Sequence, residues 1–167
     1  VLMGVFVTLY NYLGYHLLAP PYHLSQTVVG LIFSVYLVGT FSSAWMGQQA
    51  TRYGRGRILS ISFALIGAGI ALLAMPWLST MALGIALVTF GFFGGHSVAS
   101  SWVGSRAGAM RAEASALYLF AYYLGSSVLG GVGGLAYAAW DWLGGGVFVP
   151  ALTLIGGGIV WTLQQRT

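Results

Sequence analysis

Few side chains in this sequence could do chemistry, and they lie far apart. The 167 residues include three histidines, two acids and no cysteine. Without cysteine no disulfide or thiolate metal site can form, and a zinc site would need three or four clustered ligands. Ser126 and Ser127 follow a glycine, as the nucleophile of an intramembrane serine protease would. However, no histidine follows them to activate a hydroxyl, and His96 lacks the expected motif. We therefore expect no enzyme, no metal and no cofactor.

The most strongly charged stretch is one short connection. It reads GQQATRYGRGRIL, residues 47–59, and holds three of the six arginines in a chain that has no lysine. The formal net charge of +4 could suggest a nucleic-acid partner. Binding of that kind needs a basic face on a folded surface, whereas these arginines lie in separate connections between apolar segments. Nucleic acid is therefore not an expected partner.

The composition indicates whether water or lipid surrounds the folded chain. Hydrophobic residues make up 58% and charged residues only 5%, whereas soluble domains are about one quarter charged. So few charged side chains cannot cover a surface that faces water. We expect an integral membrane protein whose surface is mostly in contact with lipid.

The apolar segments predict an all-α, polytopic fold. A membrane-spanning helix needs about 20 mostly apolar residues. Pro20 and Pro21 end the first such segment, Ser25 is placed to cap the second, and Pro150 falls in the first turns of the last. The sequence thus predicts one bundle of six transmembrane helices, at about residues 1–19, 25–49, 57–74, 79–103, 114–137 and 147–163.

The arginines orient these segments in the membrane. All six follow the second, fourth and sixth spans, and the other connections carry only Asp141. Arginine stays on the cytoplasmic side. We therefore expect both ends of the chain in the cytoplasm.

Polar residues in the middle of a span indicate a cavity, because each costs free energy unless it faces protein or water. Asn11 and Tyr15 share a face of the first span with Thr8. In the fourth span His96 shares a face with Phe93, Thr89 and Ser100. The third and sixth spans are almost wholly apolar. This distribution is typical of two inverted three-helix repeats whose first helices line a cavity. A hydrogen-bonded packing role for His96 stays open.

Small residues at four-residue spacing predict close helix packing. The second span has Gly39, Ser43 and Gly47 on one stripe, and the fifth has Ser126, Gly130 and Gly134 on another. Two interpretations are open. These stripes are either static packing surfaces or surfaces that rock during transport.

The connection at 47–59 resembles the conserved cytoplasmic loop of the major facilitator superfamily, written G-x-L-a-D-R-x-G-R-R. Thr51 stands where that motif has aspartate, and a merely basic loop that orients the helices is the alternative. The segments LYNYLGYHLLAPP, GTFSSAWMGQQ, FGFFGGHSVASSWVG and SALYLFAYYLGSSVLGGVGG are also similar to bacterial arabinose-efflux and multidrug-efflux permeases. The motif positions present here are Gly47, Arg52, Gly54, Arg55 and Arg57.

The resemblance implies a proton-coupled exporter that works by alternating access in a bacterial cytoplasmic (inner) membrane. A degenerate loop copy implies the C-terminal half of a twelve-helix permease, with an N-terminal six-helix half as its partner and a small organic molecule as its substrate. The opening on Val1, without an initiator Met, fits that expectation. The implied cavity residues are Asn11, Tyr15, Phe93, His96 and Tyr122.

The group that would couple transport to protons does not stand out in this chain. The chain has two acids, Glu113 near the cytoplasmic mouth and Asp141 in an outer turn, and neither lies at mid-depth. We expect the coupling acid in the other half, with His96 as the alternative. A complete six-helix carrier or scaffold acting as a homodimer is the second hypothesis for the whole chain.

Overall fold

The computed structural model describes residues 1–165, apart from the side chain of Leu143, so that Arg166 lies outside the described residues. The described chain folds into six helices joined by short connections. They are α1 (Leu2–Leu18), α2 (Gln26–Tyr53), α3 (Arg55–Leu73), α4 (Leu78–Arg106), α5 (Gly108–Trp142) and α6 (Gly144–Gln164).

The helix ends follow from local sequence. Ala19 is extended, as expected of a residue that precedes proline. Ser25 caps α2 by accepting a hydrogen bond from the backbone N–H of Val28, which confirms the predicted cap. Gly54 separates α2 from α3 with φ of +91°. A side chain is strained in that conformation, so this position of the arginine-rich connection favours glycine.

The boundary between α5 and α6 is a sharp break in one long helical stretch. Trp140 and Asp141 leave the helical region, with φ of −135° and +52°. The next helix begins at Gly144, earlier than predicted. Pro150 then lies in the second turn of α6, which agrees with its predicted place in the first turns of the last span.

The predicted all-α membrane fold is confirmed. The five helices α2 to α6 are long and apolar enough to cross a membrane. Helix α1 has 17 residues and packs in the centre of the bundle, where Val5, Leu13 and Leu17 are almost completely buried. The protein is an integral membrane protein.

The helices form two units of three, α1 to α3 and α4 to α6, which make equivalent contacts with each other. Exchanging α1 with α4, α2 with α5 and α3 with α6 converts the α1–α5 contact into the α4–α2 contact. Both contacts are present, through Thr8 with Gly133 and through Ser42 with the Phe90 carbonyl. The same exchange converts the α3–α4 contact into the α6–α1 contact, where Val149 packs in one cluster with Val5. This is the arrangement expected of an inverted repeat.

Candidate functional site

His96 is the centre of a polar aromatic cluster between α4 and α5. Its Nδ1 lies 2.9 Å from the hydroxyl of Tyr118. Its ring centroid lies 4.5 Å from that of Tyr122 and 5.6 Å from that of Tyr118. The structure therefore brings two predicted cavity residues, His96 and Tyr122, into contact. Sequence reasoning missed Tyr118, although its four-residue spacing from Tyr122 places both rings on one helix face.

Phe93 joins this cluster to α2. Its ring lies edge-on to Tyr36, with centroids 4.8 Å apart. Phe92 is buried behind these rings and contacts both Phe93 and His96, at 5.1 and 6.2 Å between centroids. Tyr36 was not predicted as a site residue. Its signal is weak, because one tyrosine within an apolar span carries no periodicity.

We call the resulting surface the aromatic wall. Tyr36 and Tyr123 are 49% and 61% exposed, and the other members are partly buried. The rings come from three helices, so the surface exists only in the folded bundle. Its members are Tyr36, Phe93, His96, Tyr118, Tyr122 and Tyr123.

Asn11 and Tyr15 lie beside the aromatic wall rather than on it. Both are exposed on α1, where they line a shallow groove against Gln26 and Phe33 of α2. The ring of Tyr10 contacts Phe33 at 5.2 Å and Tyr36 of the wall at 6.1 Å between centroids. The groove and the wall are therefore neighbouring parts of one surface.

Two threonines of the predicted polar faces bond to neighbouring helices. Thr8 is buried against α5, where its hydroxyl donates to the Leu129 carbonyl. Thr89 is also buried, and its hydroxyl bonds with that of Tyr10 on α1. Each threonine hydroxyl thus forms a hydrogen bond between two helices, because a hydroxyl inside the bundle is stabilised by an internal partner. The two threonines therefore serve helix packing in this bundle, although they share helix faces with Asn11 and His96.

The arginine-rich connection ties helix ends together. Arg55 donates from Nη1 to the Ser105 hydroxyl at 2.8 Å, which joins the start of α3 to the end of α4. Arg52 lies over the ring of Tyr53, and Arg57 is exposed. The five described arginines all lie at this end of the bundle, which we call the arginine end. They are Arg52, Arg55, Arg57, Arg106 and Arg111.

The predicted small residues of α2 pack mainly against α4. Gly39 lies against the ring of Phe93, and Ser43 donates to the carbonyl of the same residue at 3.4 Å. Gly47 has looser packing, since a Cβ built there would lie 3.7 Å from the Ser97 hydroxyl. The stripe on α2 is a helix-packing surface.

The stripe on α5 packs against α1. A Cβ built on Gly130 would lie 2.8 Å from the Val7 side chain, and one on Gly134 would meet the hydroxyl of Tyr12. Ser126 is partly buried on the same helix. Both stripes therefore form contacts within this bundle.

Among the described residues, neither carboxylate is hydrogen-bonded to the aromatic wall. Glu113 lies near the first turn of α5 and Asp141 at its other end, and both are exposed. Within residues 1–165 no three histidine or acidic side chains converge as metal ligands would. The polar chemistry at membrane depth therefore comes from imidazole, phenol and amide groups.

Known proteins similar to this chain are transporters. It is 51% identical over 144 residues to the MFS-type transporter YybF of Bacillus subtilis. It is 46% identical over 155 residues to the inner membrane transport protein YnfM of Escherichia coli. It is 40% identical over 166 residues to a transporter of Buchnera aphidicola. This chain is a homologue of membrane transporters.

The similarity covers nearly all of this chain but a minor part of each relative. The three alignments span 86%, 93% and 99% of the chain, and 36%, 37% and 40% of the respective relatives. No family model matches the chain, and no solved structure matches it. The resemblance to major facilitator transporters is thus supported by YybF, a relative of that name, whereas the efflux subtype stays a prediction.

Proposed function

We propose that this chain forms the C-terminal six-helix half of a major facilitator superfamily permease. The permease exports a small organic molecule in exchange for protons by alternating access. The observation that carries the proposal is the similarity to transporters over 86–99% of the chain, which spans only 36–40% of their length. A chain of this size supplies one half of a transport path, and an N-terminal six-helix half supplies the other.

The aromatic wall and the neighbouring groove support a cavity on one side of the bundle. Polar side chains at membrane depth are stable where they face protein or water rather than lipid tails. The wall includes His96, Tyr122 and Tyr36, and the groove adds the polar side chains of Asn11 and Tyr15. In the whole permease this surface would face the N-terminal half across the transport path.

The contacts of α1 with α5 and of α2 with α4 support movement by small displacements. They are made through glycines that meet side chains, and side chains can change conformation when helices shift. The arginine end would lie in the cytoplasm, with both ends of the chain on that side. There Arg55 would brace the α3–α4 pair by its bond to Ser105.

Proton coupling is assigned to the other half of the permease. A coupling group must titrate and meet each side of the membrane in turn, and a carboxylate at mid-depth is the usual choice. The two acids of this chain lie at the ends of α5. His96 is the only other titratable candidate that we place at depth, and we give it a binding role.

Transport by the native polypeptide tests this proposal. The protein is reconstituted in liposomes, a pH gradient is imposed, and solute-dependent proton movement is followed with an internal pH dye. We expect proton movement that persists in His96→Gln once the solute concentration is raised to offset weaker binding. The solutes to test are those that accumulate in cells lacking the gene. If none of them moves protons, the exchange mechanism is refuted. Abolition of coupling in His96→Gln, with binding intact, would move the coupling group into this half.

The native polypeptide should also be much longer than this chain. Mass spectrometry of the protein from its source membrane measures that length directly. A mass above twice that of the 167 residues is expected for a twelve-helix permease. A mass equal to that of 167 residues would favour the homodimer.

A further inference from the structure

The aromatic wall presents ring faces and unpartnered polar atoms at the same place. The Nδ1 of His96 is bound by Tyr118, while its Nε2 makes no hydrogen bond to a described residue. The hydroxyl of Tyr122 likewise has no partner among residues 1–165. Every buried side-chain nitrogen or oxygen in the described chain has a hydrogen-bond partner. These two atoms are therefore accessible, and a bound molecule can reach them.

The ring faces are also open. Tyr36 and Tyr123 are 49% and 61% exposed, on α2 and α5. Between them, Phe93, His96 and Tyr122 are partly exposed and contact one another directly or through Phe92. Aromatic rings prefer stacked or edge-on contacts with other rings, at centroid distances of about 4.5–7 Å. A surface of this kind favours a planar ring over an aliphatic group of the same size.

The charges of the chain limit what can bind. The wall contains no aspartate, glutamate, lysine or arginine. The described arginines and Glu113 lie at the arginine end, and Asp141 lies at the opposite end of α5. A charged group brought to the wall would lose its water without gaining an ionic partner from this half, and that is costly. The part of a ligand that rests here is therefore uncharged.

We propose that the aromatic wall binds the planar ring of an aromatic solute that carries an uncharged polar substituent. The ring stacks on Tyr122 and Tyr36, and the substituent bonds with Nε2 of His96 and the hydroxyl of Tyr122. This inference rests on the proposed transport function, because it names the class of molecule that the transport cavity accepts. Tyr118 is a positioning residue, since its hydroxyl fixes the orientation of the imidazole through Nδ1.

Two glucosides test the preference for a ring. Phenyl β-glucoside and cyclohexyl β-glucoside have the same polar, uncharged group and differ in whether the six-membered ring is aromatic. Their binding to the native polypeptide in lipid nanodiscs is measured by isothermal titration calorimetry. We expect the phenyl compound to bind about tenfold more tightly, because two ring contacts each favour it by a few-fold. Equal affinities would overturn the proposal.

Variants locate the preference on the wall. Tyr36→Leu and Tyr122→Leu keep an apolar side chain and remove a ring, so each should reduce the preference to about twofold or less. Tyr122→Phe keeps the ring and should keep most of the preference. Tyr53→Leu is the matched control, because Tyr53 is also on α2 and is also 49% exposed, but lies at the arginine end. An unchanged preference in both wall variants would overturn the assignment.

The two proposals fail in different ways. The nanodisc measurement needs neither a gradient nor movement across the membrane. If the phenyl compound is preferred and yet no solute moves protons in liposomes, the transport function is wrong and the binding site stands. If proton-coupled transport is observed and neither wall variant changes ring preference, transport stands and the site assignment is wrong.

Discussion

Two helix contacts in this bundle are built on glycine, in different ways. Between α3 and α4, the glycines bring backbone against backbone. A Cβ built on Gly69 would lie 2.6 Å from the Gly84 carbonyl oxygen, and one on Gly91 would lie 2.6 Å from that of Ser62. Between α1 and α5, glycines meet side chains instead, as Gly130 meets Val7. A backbone cannot yield without moving the helix, whereas a side chain can change conformation.

This difference divides the bundle into a fixed pair and an adjustable pair. Helices α3 and α4 form a fixed unit, because contact between backbones leaves no space for adjustment. Helix α1 can shift against α5 when Val7, Thr8 and Tyr12 change rotamer. In the proposed permease the second contact would change during the transport cycle, while the first would hold α4 and its His96 in place.

The largest effect is expected from Gly69→Ala. The new methyl group would press on the Gly84 carbonyl and the Val88 backbone, at 2.6 and 2.9 Å. We expect a loss of about 3 kcal/mol in the free energy of unfolding, at the upper end for overpacking. Unfolding of the full-length protein in mixed detergent micelles measures it. Gly67→Ala on the same helix is the control, since a Cβ there meets nothing within 4 Å. Equal stability of the two variants would refute the fixed pair.

Gly130→Ala should cost less stability than Gly69→Ala but reduce transport more. The added Cβ would lie 2.8 Å from Val7 Cγ1, and a valine side chain can rotate at a cost of about 1 kcal/mol. Transport should fall several-fold, because α1 can no longer approach α5 in every state. Gly131→Ala, which meets nothing within 4 Å, is the neighbouring control. A destabilisation as large as that of Gly69→Ala would show that both contacts are fixed.

The sequence predicted the spans better than the contacts between them. Prolines, the Ser25 cap and the arginines mark where helices begin and end. In a membrane helix every side is apolar, so hydrophobic periodicity does not show which side meets a partner. That is why the helix face that Thr8 shares with Asn11, and that Thr89 shares with His96, does not reveal that both threonines bond to neighbouring helices. Small residues gave a partial signal.

The α3–α4 contact could have been found from the sequence. Gly84, Gly91 and Gly95 recur on α4 at seven- and four-residue spacing, which is the pattern of a helix-packing face. Its partner on α3 is harder to see, because Ser62 and Gly69 are also seven residues apart but the bulky Ile66 lies between them on the contact face. The aromatic wall depends on rings from three helices, and their convergence is a property of the tertiary fold.

Gly39→Ala should affect the aromatic wall more than the stability of the fold. The new Cβ would displace the ring of Phe93, which is partly exposed and can turn towards the open side. We expect a loss of about 1 kcal/mol or less, together with a weaker preference for phenyl over cyclohexyl β-glucoside. The double variant with Phe93→Leu should recover stability but not the preference. A stability loss as large as that of Gly69→Ala would place the α2–α4 contact with the fixed pair.

The smallest effect is expected from Ser105→Ala. This change removes the hydrogen bond from Arg55 that joins α3 to α4 at the arginine end. Both side chains are at the surface, so water replaces the lost partner, and the change in unfolding free energy should stay within about 0.5 kcal/mol. The charge of Arg55 is retained, so the orientation of the chain in the membrane is unaffected. The same micelle unfolding experiment compares it with Gly69→Ala. If Ser105→Ala proved as costly as Gly69→Ala, the α3–α4 pair would depend on a polar tie at its end. If it proves neutral, glycine packing along the helices holds that pair together.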